Sequence, residues 1–377
     1  MSARTAAPKG DLGKVLVVGG NGFLGHHIVN QALDDWHCRH VVSVDLRCDR
    51  HRRPDATYHE CDITDGPKLA ALFESLRPDV VIHTASPVAS DNAVHRELFR
   101  RVNVDGTASV VAACRAARVK ALVYTSSASV VSDFQSDLRN ADERWPVIRG
   151  AQQPEYYSET KAAAEELVTA ANRVGQDGKL GTLLTTSIRP AGIFGEGDVQ
   201  ALAGLLGAYR TGKSRVQLGD NDNIFDFTYV GNVAHAHLLA ARLLLATAAA
   251  GTTPLDHERV DGETFFVTND EPVYFWDFAR SVWRAAGNPD GTEGVWRIPR
   301  DLSLLLGMAS EIFSSITRRK PTFTKQRAVL STMTRYYNIA KARSVLGYEP
   351  QWSLQEGVDR GVKWFLENEK AEKAAKA

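Results

Sequence analysis

The sequence of 377 residues predicts an α/β fold, in which a doubly wound parallel sheet is followed by a smaller, mostly helical C-terminal lobe. Two observations carry this prediction. Short, nearly continuous apolar runs alternate with helical segments through the first half, as expected for parallel strands buried on both faces. A glycine-rich turn separates the first apolar run from the first helix, where doubly wound sheets bind ligands.

Seven segments are predicted to form the sheet, and the third of them is shorter and more polar than the others. They are residues 14–19, 40–45, 56–60, 79–83, 121–125, 184–189 and 264–268. Helical segments connect the early strands, which implies a parallel sheet whose crossovers are right-handed. The predicted helices are residues 23–33, 67–76, 96–117 and 156–172.

The turn at residues 19–25 (GGNGFLG) lies between the first strand and the first helix. Glycine is needed there for a tight turn, for close approach of a pyrophosphate and for packing of the helix on the strand. Backbone N–H groups and the helix dipole then meet the phosphate charge. The residues expected at the pyrophosphate are Gly19, Gly22, Phe23, Leu24 and Gly25. The pattern predicts a Rossmann-type dinucleotide site.

Asp45 closes the second strand, twenty residues after Gly25, where an acid binds the ribose 2′-hydroxyl. A carboxylate there favours NAD, because it repels the extra 2′-phosphate of NADP. Arg47 follows two residues later and is either a solvated loop charge or a phosphate ligand, so NADP stays an alternative. Residues after the next two strands are expected to line the same site: Asp62, Ile63, Thr84 and Ala85.

Tyr157 and Lys161 lie four residues apart at the start of a predicted helix, a spacing that places both side chains on one face. A free tyrosine has a pKa of about 10, and a nearby ammonium lowers it. Such a phenol can exchange a proton with an alcohol while hydride passes to a nicotinamide. Ser127, after the fifth strand, can hydrogen-bond the same oxygen. A lone Tyr-x-x-x-Lys is more often an exposed helical pair, but the glycine turn and Asp45 precede this one.

In this order the motifs resemble the extended short-chain dehydrogenases/reductases (extended SDR) over nearly the whole chain. Further stretches resemble the 3β-hydroxysteroid dehydrogenase group, and within it most closely the decarboxylating sterol-4α-carboxylate 3-dehydrogenases of fungi. These stretches are residues 83–87, 155–161, 225–233, 266–273 and 334–338.

The resemblance implies a role for each matched residue. Tyr157 would be the acid/base and a cofactor contact, Lys161 would lower its pKa and hold the nicotinamide ribose, and Ser127 would orient the substrate oxygen. Asn103 matches an asparagine that holds a helix kink and a relay water, although it is equally well read as a helix cap. Pro190 would complete the cofactor contacts.

The implied reaction is NAD(P)-dependent oxidation of the 3β-hydroxyl of a 4α-carboxysterol, with loss of the carboxylate as carbon dioxide. Three alternatives stay open. One is a 3β-hydroxysteroid or triterpene dehydrogenase of a secondary pathway. Another is a nucleotide-sugar epimerase or dehydratase, although Gly192 stands where those enzymes carry an asparagine. The third is a non-catalytic NAD-sensing regulator, which usually lacks the tyrosine or the lysine.

Composition narrows the partners. The 45 basic and 45 acidic side chains cancel, which argues against a nucleic-acid-binding protein. Four cysteines without a Cys-x-x-Cys predict neither disulfides nor zinc, and no metal site is expected at the histidine pairs. We expect a dinucleotide-binding domain over residues 12–190, with a contribution from 225–268. A substrate lobe over 191–367 and flexible termini at 1–11 and 368–377 complete the expected organisation.

The segment 301–316 has one apolar helical face and is followed by a run of basic residues without an acid: Arg318, Arg319, Lys320, Lys325 and Arg327. This arrangement suits attachment to an anionic membrane, or equally a helix buried over the substrate pocket. The resemblance to sterol enzymes favours peripheral contact with the cytoplasmic face of the endoplasmic reticulum or a lipid droplet, and otherwise a cytoplasmic location. It also implies a sterol substrate, other sterol C4-demethylation enzymes as partners, and a homodimer through helices 96–117 and 156–172.

Overall fold

A computed structural model describes residues 9–88, 96–174, 181–317 and 323–376. Its centre is a seven-stranded sheet in which every neighbouring pair is parallel. The strands are β1 (Asp11–Val18), β2 (His37–Asp45), β3 (Thr57–Glu60), β4 (Val80–His83), β5 (Ala121–Thr125), β7 (Leu184–Pro190) and β12 (Thr264–Val267). Their spatial order is β12-β7-β5-β4-β1-β2-β3. The predicted doubly wound parallel sheet is confirmed.

The helices of the described chain are α1 (Phe23–Asp35), α2 (Gly66–Leu76), α3 (Arg96–Phe99), α4 (Thr107–Ala116), α5 (Tyr156–Ala170), α6 (Ala201–Arg210), α7 (Val230–Ala250), α8 (Phe275–Ala285), α9 (Arg300–Thr317), α10 (Lys325–Leu330) and α11 (Leu354–Lys376). The shorter strands are β6 (Leu138–Ala141), β8 (Ile193–Phe194), β9 (Val216–Leu218), β10 (Ile224–Phe225), β11 (Thr228–Tyr229), β13 (Val273–Tyr274), β14 (Trp296–Ile298) and β15 (Arg335–Tyr337).

Strand β1 shows why the buried strands are apolar on both faces. Val15 and Val17 belong to the core that contains α1 and α7. Leu16 and Val18 belong to a second core formed with α2, α4 and α5. Because successive side chains point to opposite faces of a strand, a sheet between two helical layers needs apolar residues at every position. Helix α7 is long and apolar enough to cross a membrane by composition, but 56% of its most apolar window is buried.

The sheet reverses its winding direction between β1 and β4. The chain adds β2 and β3 on one side of β1 and then returns to place β4 on the other side, with Val18 opposite His83 in register. A crevice therefore opens at the carboxyl ends of β1 and β4, where doubly wound folds bind ligands.

The helix predicted over residues 96–117 is confirmed from Arg96 to Ala116, but its middle is not α-helical. A π-helical segment, Arg100–Gly106, separates α3 from α4. Within it, the buried Asn103 side chain donates to the Thr160 hydroxyl of α5 at 2.9 Å. At Gly106 a Cβ atom would lie 2.6 Å from Ile63 Cδ1. The wider turn thus lets this helix approach both α5 and the loop after β3, which no helical periodicity reports.

The C-terminal lobe contains a small sheet as well as helices. Its order is β13-β10-β15-β6, so β6, from the middle of the first 190 residues, pairs with β15 near the end of the chain. At the termini, β1 already begins at Asp11 and α11 continues to Lys376. Asp11 and residues 368–376, which the sequence predicts to be flexible, therefore belong to a strand and a helix. Residues 1–8 and 377 lie outside the described residues.

A buried ion pair joins α5 to the sheet. The Arg189 guanidinium on β7 binds both carboxylate oxygens of Glu165, with Nε–Oε2 at 2.9 Å. Both side chains are about 5% exposed or less. The pair fixes α5 against the strand that ends beside the predicted active site.

We predict that Arg189→Met destabilises the protein by about 3 to 5 kcal/mol, because it leaves the Glu165 carboxylate buried without a partner. The double variant Glu165→Leu/Arg189→Met should be close to neutral, because no charge remains unpaired. Urea unfolding measures both. Arg144→Met, which removes an exposed ion pair with Asp142, is the matched control and should cost at most about 1 kcal/mol. Equal losses for the single and double variants would contradict the prediction.

Candidate active site

The glycine turn after β1 has the geometry that a phosphate loop requires. Gly19 has a φ of +81°, and a Cβ there would lie 2.8 Å from the backbone nitrogen of Ala85. A Cβ on Gly25 would lie 2.0 Å from the Gly19 carbonyl oxygen. Gly22 is the N-cap of α1, and neither a side-chain cap nor an acidic residue occupies its first turn. The positive end of α1, including Phe23 and Leu24, is therefore available to an anion.

Asp45 ends β2 beside this turn. Its Oδ2 accepts from the backbone N–H of Asn21 at 3.0 Å, and its Oδ1 accepts from that of Leu46 at 2.7 Å. The Asn21 side chain is itself held by Ser43, at 2.6 Å. These bonds fix a carboxylate at the expected ribose position, and Arg47 is exposed in the loop that follows.

The remaining predicted cofactor contacts lie at the same edge of the sheet. Thr84 follows β4, and its hydroxyl donates to the Val18 carbonyl at 2.9 Å, which places Ala85 against Gly19. Asp62, after β3, accepts from the backbone N–H of Thr64 at 2.9 Å. The adjacent Ile63 is buried, as is Pro190 at the end of β7. Small, apolar and acidic groups therefore follow the strands at the carboxyl edge of the sheet, and they fit a dinucleotide.

Tyr157 and Ser127 meet at the carboxyl end of β5. The Ser127 hydroxyl lies 2.8 Å from that of Ser129, which in turn accepts from Ser158 at 2.8 Å. Burial raises the pKa of Tyr157, while its hydrogen bond with Ser127 and the positive charge of Arg335 lower it. The half-buried phenol and the serine hydroxyl can therefore bind one substrate oxygen together.

Lys161 differs from the sequence-based expectation. The sequence predicts that its ammonium lowers the pKa of Tyr157, yet that pKa is raised, and the cation opposing the rise is Arg335. Lys161 is 2% exposed, its Nζ donates to the Thr125 carbonyl, and it lies 4.5 Å from the centre of the Tyr124 ring. Burial lowers the pKa of Lys161 itself to about 7, with Glu165 opposing this.

Asn103 lies where a relay residue would be useful. Its Nδ2 is used by Thr160, whose hydroxyl donates to the Tyr157 carbonyl at 2.9 Å. Its buried Oδ1 has no hydrogen-bond partner among the described residues. A buried acceptor of this kind is normally satisfied by a donor such as water, and Asn103 lies inside the π-helical segment and not at a helix cap.

Two residues of the site have no role in the sequence-based account. Arg335 and Tyr337 belong to a stretch that the resemblance singles out only as a family match. In the structure Arg335 Nε donates to the Tyr337 hydroxyl at 2.6 Å, and that hydroxyl donates to the Ala128 carbonyl at 3.2 Å. Ala128 follows Ser127 directly. The sequence offers only an arginine between polar and aromatic residues, which is too common a pattern to find the contact.

The histidine pairs, at which the sequence predicts no metal site, include buried side chains with lowered pKa values. Burial lowers the pKa of His26 to about 2 and that of His237 to about 4. His237 lies between the Thr125 hydroxyl and the Val233 carbonyl, at 2.8 Å from each, and so takes part in packing α7 on β5. Among the described residues no group of three or more histidine, cysteine or acidic side chains is placed to hold a metal ion.

The fold and this arrangement are those of a Rossmann-type oxidoreductase. Residues 16–300 match the model of the 3-beta hydroxysteroid dehydrogenase/isomerase family. The chain belongs to that family, as the resemblance predicts.

Relatives are similar over almost their full length. The chain is 39% identical to the decarboxylating sterol-4-alpha-carboxylate 3-dehydrogenase of Saccharomyces cerevisiae, over 94% of this chain and 98% of the relative. It is 34% identical to the human enzyme of the same name, over 93% of this chain and 87% of the relative. A 3beta-hydroxysteroid-dehydrogenase/decarboxylase of Arabidopsis thaliana is 34% identical, with 93% and 79% covered.

Solved structures show the same fold at lower identity. A UDP-glucose 4-epimerase of Thermotoga maritima with UDP-glucose is 18% identical, with a TM-score of 0.67 and 94% of this chain and 99% of that chain covered. The Bordetella bronchiseptica enzyme WbmH, in complex with NAD+, is 19% identical with a TM-score of 0.68, and 94% and 98% are covered. At these identities the likeness establishes the fold and not the substrate.

We predict that the stability gap between Lys161→Met and the wild type depends on pH. Because the folded-state pKa of about 7 lies below the ordinary value of 10.5, the unfolded chain holds a proton between these pH values that the folded chain has lost. Wild-type stability therefore rises with pH across this window. The free energy of unfolding of Lys161→Met minus that of the wild type should therefore be highest at pH 6 and fall towards pH 9.

Urea unfolding at both pH values measures this gap. The control is Lys120→Met, which replaces an exposed lysine paired with Asp79 and should give a gap that is the same at pH 6 and pH 9. A Lys161→Met gap that does not change with pH would show that burial has not lowered the pKa of this lysine.

Proposed function

We propose that this protein is an NAD(P)-dependent, decarboxylating sterol-4α-carboxylate 3-dehydrogenase. The observation that carries the proposal is 39% identity to the yeast enzyme over 94% of the chain, combined with a site that brings Tyr157 and Ser127 together beside a dinucleotide loop. The substrate class comes from the relatives, and the acid/base chemistry comes from the site.

The chain's own residues orient the substrate and move one proton. Ser127 donates a hydrogen bond to the C3 oxygen and so fixes its position against the Tyr157 hydroxyl. Tyr157 takes the proton of the C3 hydroxyl as the phenolate, the form that Ser127 and Arg335 favour against the burial that raises its pKa. Asn103 Oδ1 offers an acceptor for a relay to solvent. The nicotinamide, when bound, accepts the C3 hydride. The glycine turn and Asp45 would hold its dinucleotide, with Lys161 at the end of β5.

Loss of carbon dioxide needs no separate acid or base. The oxidised substrate is a 3-keto-4-carboxylate, in which the C4–carboxyl bond lies next to the ketone. When this bond breaks, its electron pair passes into the ketone and leaves an enolate oxygen at C3, and C4 later takes a proton. Hydrogen bonds from Ser127 and from the now protonated Tyr157 stabilise this oxygen, as in other sites that hold a developing oxyanion.

For the cofactor we propose NAD in preference to NADP. Asp45 is fixed by two backbone N–H groups, so its carboxylate has little freedom to move away from a 2′-phosphate. The exposed Arg47 follows in the same loop and offers a positive charge to a 2′-phosphate, so NADP is the second choice.

The competing nucleotide-sugar chemistry lacks support from the site. Gly192 has a φ of +24°, and a Cβ there would lie 2.6 Å from the Asp226 carbonyl oxygen. An asparagine at that position would need the backbone to move, so the contact that those enzymes use for the nucleotide is not available here.

The test incubates the purified protein with NAD and a 4α-carboxysterol and follows reduced cofactor and carbon dioxide. We predict equal amounts of both products, and slower turnover with NADP. Tyr157→Phe should lose roughly 10²- to 10⁴-fold in rate while it still binds NAD, because the glycine turn and Asp45 are unchanged in this variant. Reduced cofactor without carbon dioxide would indicate a plain 3β-hydroxysteroid dehydrogenase. Turnover of a nucleotide sugar instead would overturn the proposal.

We propose that the protein acts at the cytoplasmic face of the endoplasmic reticulum or of a lipid droplet, through helix α9. The apolar face of α9 is exposed: Leu305 and Ile312 are each 61% exposed and Phe313 is 64% exposed. Only Ser303 and Gly307 of α9 are buried among the side chains described for it, and Gly307 contacts the backbone of α10. The exposure argues against a helix that covers the substrate pocket.

Charge makes an anionic lipid surface the best occupant of this face. Lys325 and Arg327 follow α9 in the chain, and the basic residues Arg318, Arg319 and Lys320, which lie outside the described residues, precede them. An exposed apolar face beside basic residues suits the headgroup region of an anionic bilayer. The sterol C4-demethylation enzymes of the same membrane, and a second copy joined through α4 and α5, are the protein partners that we propose.

We predict that Arg318→Glu/Arg319→Glu/Lys320→Glu releases the protein from liposomes that contain phosphatidylserine. Each basic residue near such a surface contributes about 1 kcal/mol, so affinity should fall more than about 100-fold. Leu305→Ser/Ile312→Ser/Phe313→Ser should also abolish co-sedimentation, while the control Leu255→Ser, at a residue 64% exposed elsewhere, should not. Unchanged co-sedimentation of these variants would contradict the proposal. A changed oligomeric state instead would identify a second copy of the chain as the partner of the apolar face of α9.

A further inference from the structure

Arg335 is an enclosed cation without a counterion. It is 8% exposed, and its guanidinium carbon lies 5.7 Å, 6.0 Å and 5.9 Å from the ring centres of Phe134, Phe225 and Tyr337. Among the described residues no carboxylate forms an ion pair with it, and only Nε has a hydrogen-bond partner. Burying a charge without a partner is costly, so the two Nη groups require an explanation.

Asp226, whose pKa the charge of Arg335 lowers, does not supply the missing counterion. Asp226 is 1% exposed, and its Oδ2 accepts from the backbone N–H of Tyr337 at 2.7 Å. Its Oδ1 has no hydrogen-bond partner among the described residues. Burial raises the pKa of Asp226 to about 7, and the charge of Arg335 lowers it only in part. Asp226 is therefore partly neutral near pH 7, which leaves much of the guanidinium charge uncompensated.

Arg335 is also tied to the loop that binds the substrate oxygen. The Tyr337 hydroxyl accepts from Arg335 and donates to the carbonyl of Ala128, the residue after Ser127. The strand that carries Arg335 pairs with both β10 and β6, so its position is set by the sheet and not by a loop. The positive charge reaches the phenol of Tyr157, whose pKa it lowers.

We propose that Arg335 binds the C4 carboxylate of the sterol substrate through its Nη groups, and so selects carboxylated over neutral sterols. The inference rests on the proposed function and adds the residue that recognises the substrate's charge. C4 is bonded to C3, so a group that binds the carboxylate must lie beside the groups that bind the C3 oxygen. A guanidinium matches a carboxylate with two parallel hydrogen bonds, and the surrounding rings exclude water and strengthen them.

This assignment also bears on release of the product. The carboxylate leaves as carbon dioxide, its electron pair stays on the sterol, and the gas carries no charge for Arg335 to hold. The neutral ketone then lacks the ion pair that bound the substrate. Arg335 is thus a specificity residue that favours binding of the acid and departure of the ketone.

The test compares sterol binding to the wild type, Arg335→Met and Arg335→Lys. Dissociation constants are measured with NADH bound, so that no oxidation occurs, for a 4α-carboxysterol and for the 4α-methyl sterol of the same ring system. Arg335→Met should weaken binding of the acid about 10- to 100-fold, as expected when one charged partner is removed. Binding of the neutral sterol should change less than about 2-fold.

Arg335→Lys keeps the charge but not the planar guanidinium, so it should weaken binding of the acid by an intermediate amount. This variant keeps the test valid if Arg335→Met does not fold. The matched control is Arg139→Met, at an exposed arginine of the neighbouring strand β6 that pairs with Asp137; both constants should stay as in the wild type. Equal weakening of acid and neutral sterol, or no weakening, would overturn the assignment. Wild-type protein that turns over neither sterol would instead overturn the proposed function.

Discussion

The site depends on the parallel direction of the seven strands. Because all carboxyl ends lie at one edge of the sheet, the loops after β1, β2, β4, β5 and β7 converge there although they are far apart in the sequence. The register of β1 against β4 places Thr84 over the glycine turn, and the register of β5 against β7 aligns Thr125 with Ile188. A one-residue slip would turn the inward side chains outward and separate the groups that the chemistry needs.

Within this frame, the partner of each buried charge separates structural from chemical roles. Arg189 and Glu165 neutralise each other at bonding distance, so this pair fixes α5 against β7. Lys161 and Arg335 are also buried, at 2% and 8% exposure, but have no carboxylate at bonding distance among the described residues. Burial lowers the pKa of Lys161 to about 7, whereas a guanidinium stays charged in proteins. Burial of an unpaired charge costs free energy, which is why we assign Arg335 to an anionic ligand.

The sequence predicts those features that depend on residues close together in the chain. The seven strands, the glycine turn and the Tyr-x-x-x-Lys spacing depend on residues that are neighbours in the chain. The structure places the strands and the turn as expected, whereas the Lys161 ammonium binds the Thr125 carbonyl. The π-helical segment around Asn103 depends on a contact with Thr160 in another helix, which no local pattern reports. The exposure of Phe313 and the pairing of β15 with β6 depend on tertiary packing, and the sequence alone left the place of α9 open between membrane and pocket.

The direction of the Lys161 side chain is the most instructive departure, because it moves the electrostatic control of Tyr157 to another residue. The sequence places Lys161 one turn from Tyr157 and predicts a lowered phenol pKa, whereas burial raises this pKa and Arg335 opposes the rise. On the proposed assignment, the carboxylate neutralises Arg335 while the substrate is bound. Once carbon dioxide has formed, the negative charge lies on the C3 oxygen beside Ser127, and the guanidinium is again uncompensated. One cation would then stabilise first the anion that enters the site and afterwards the enolate that forms within it.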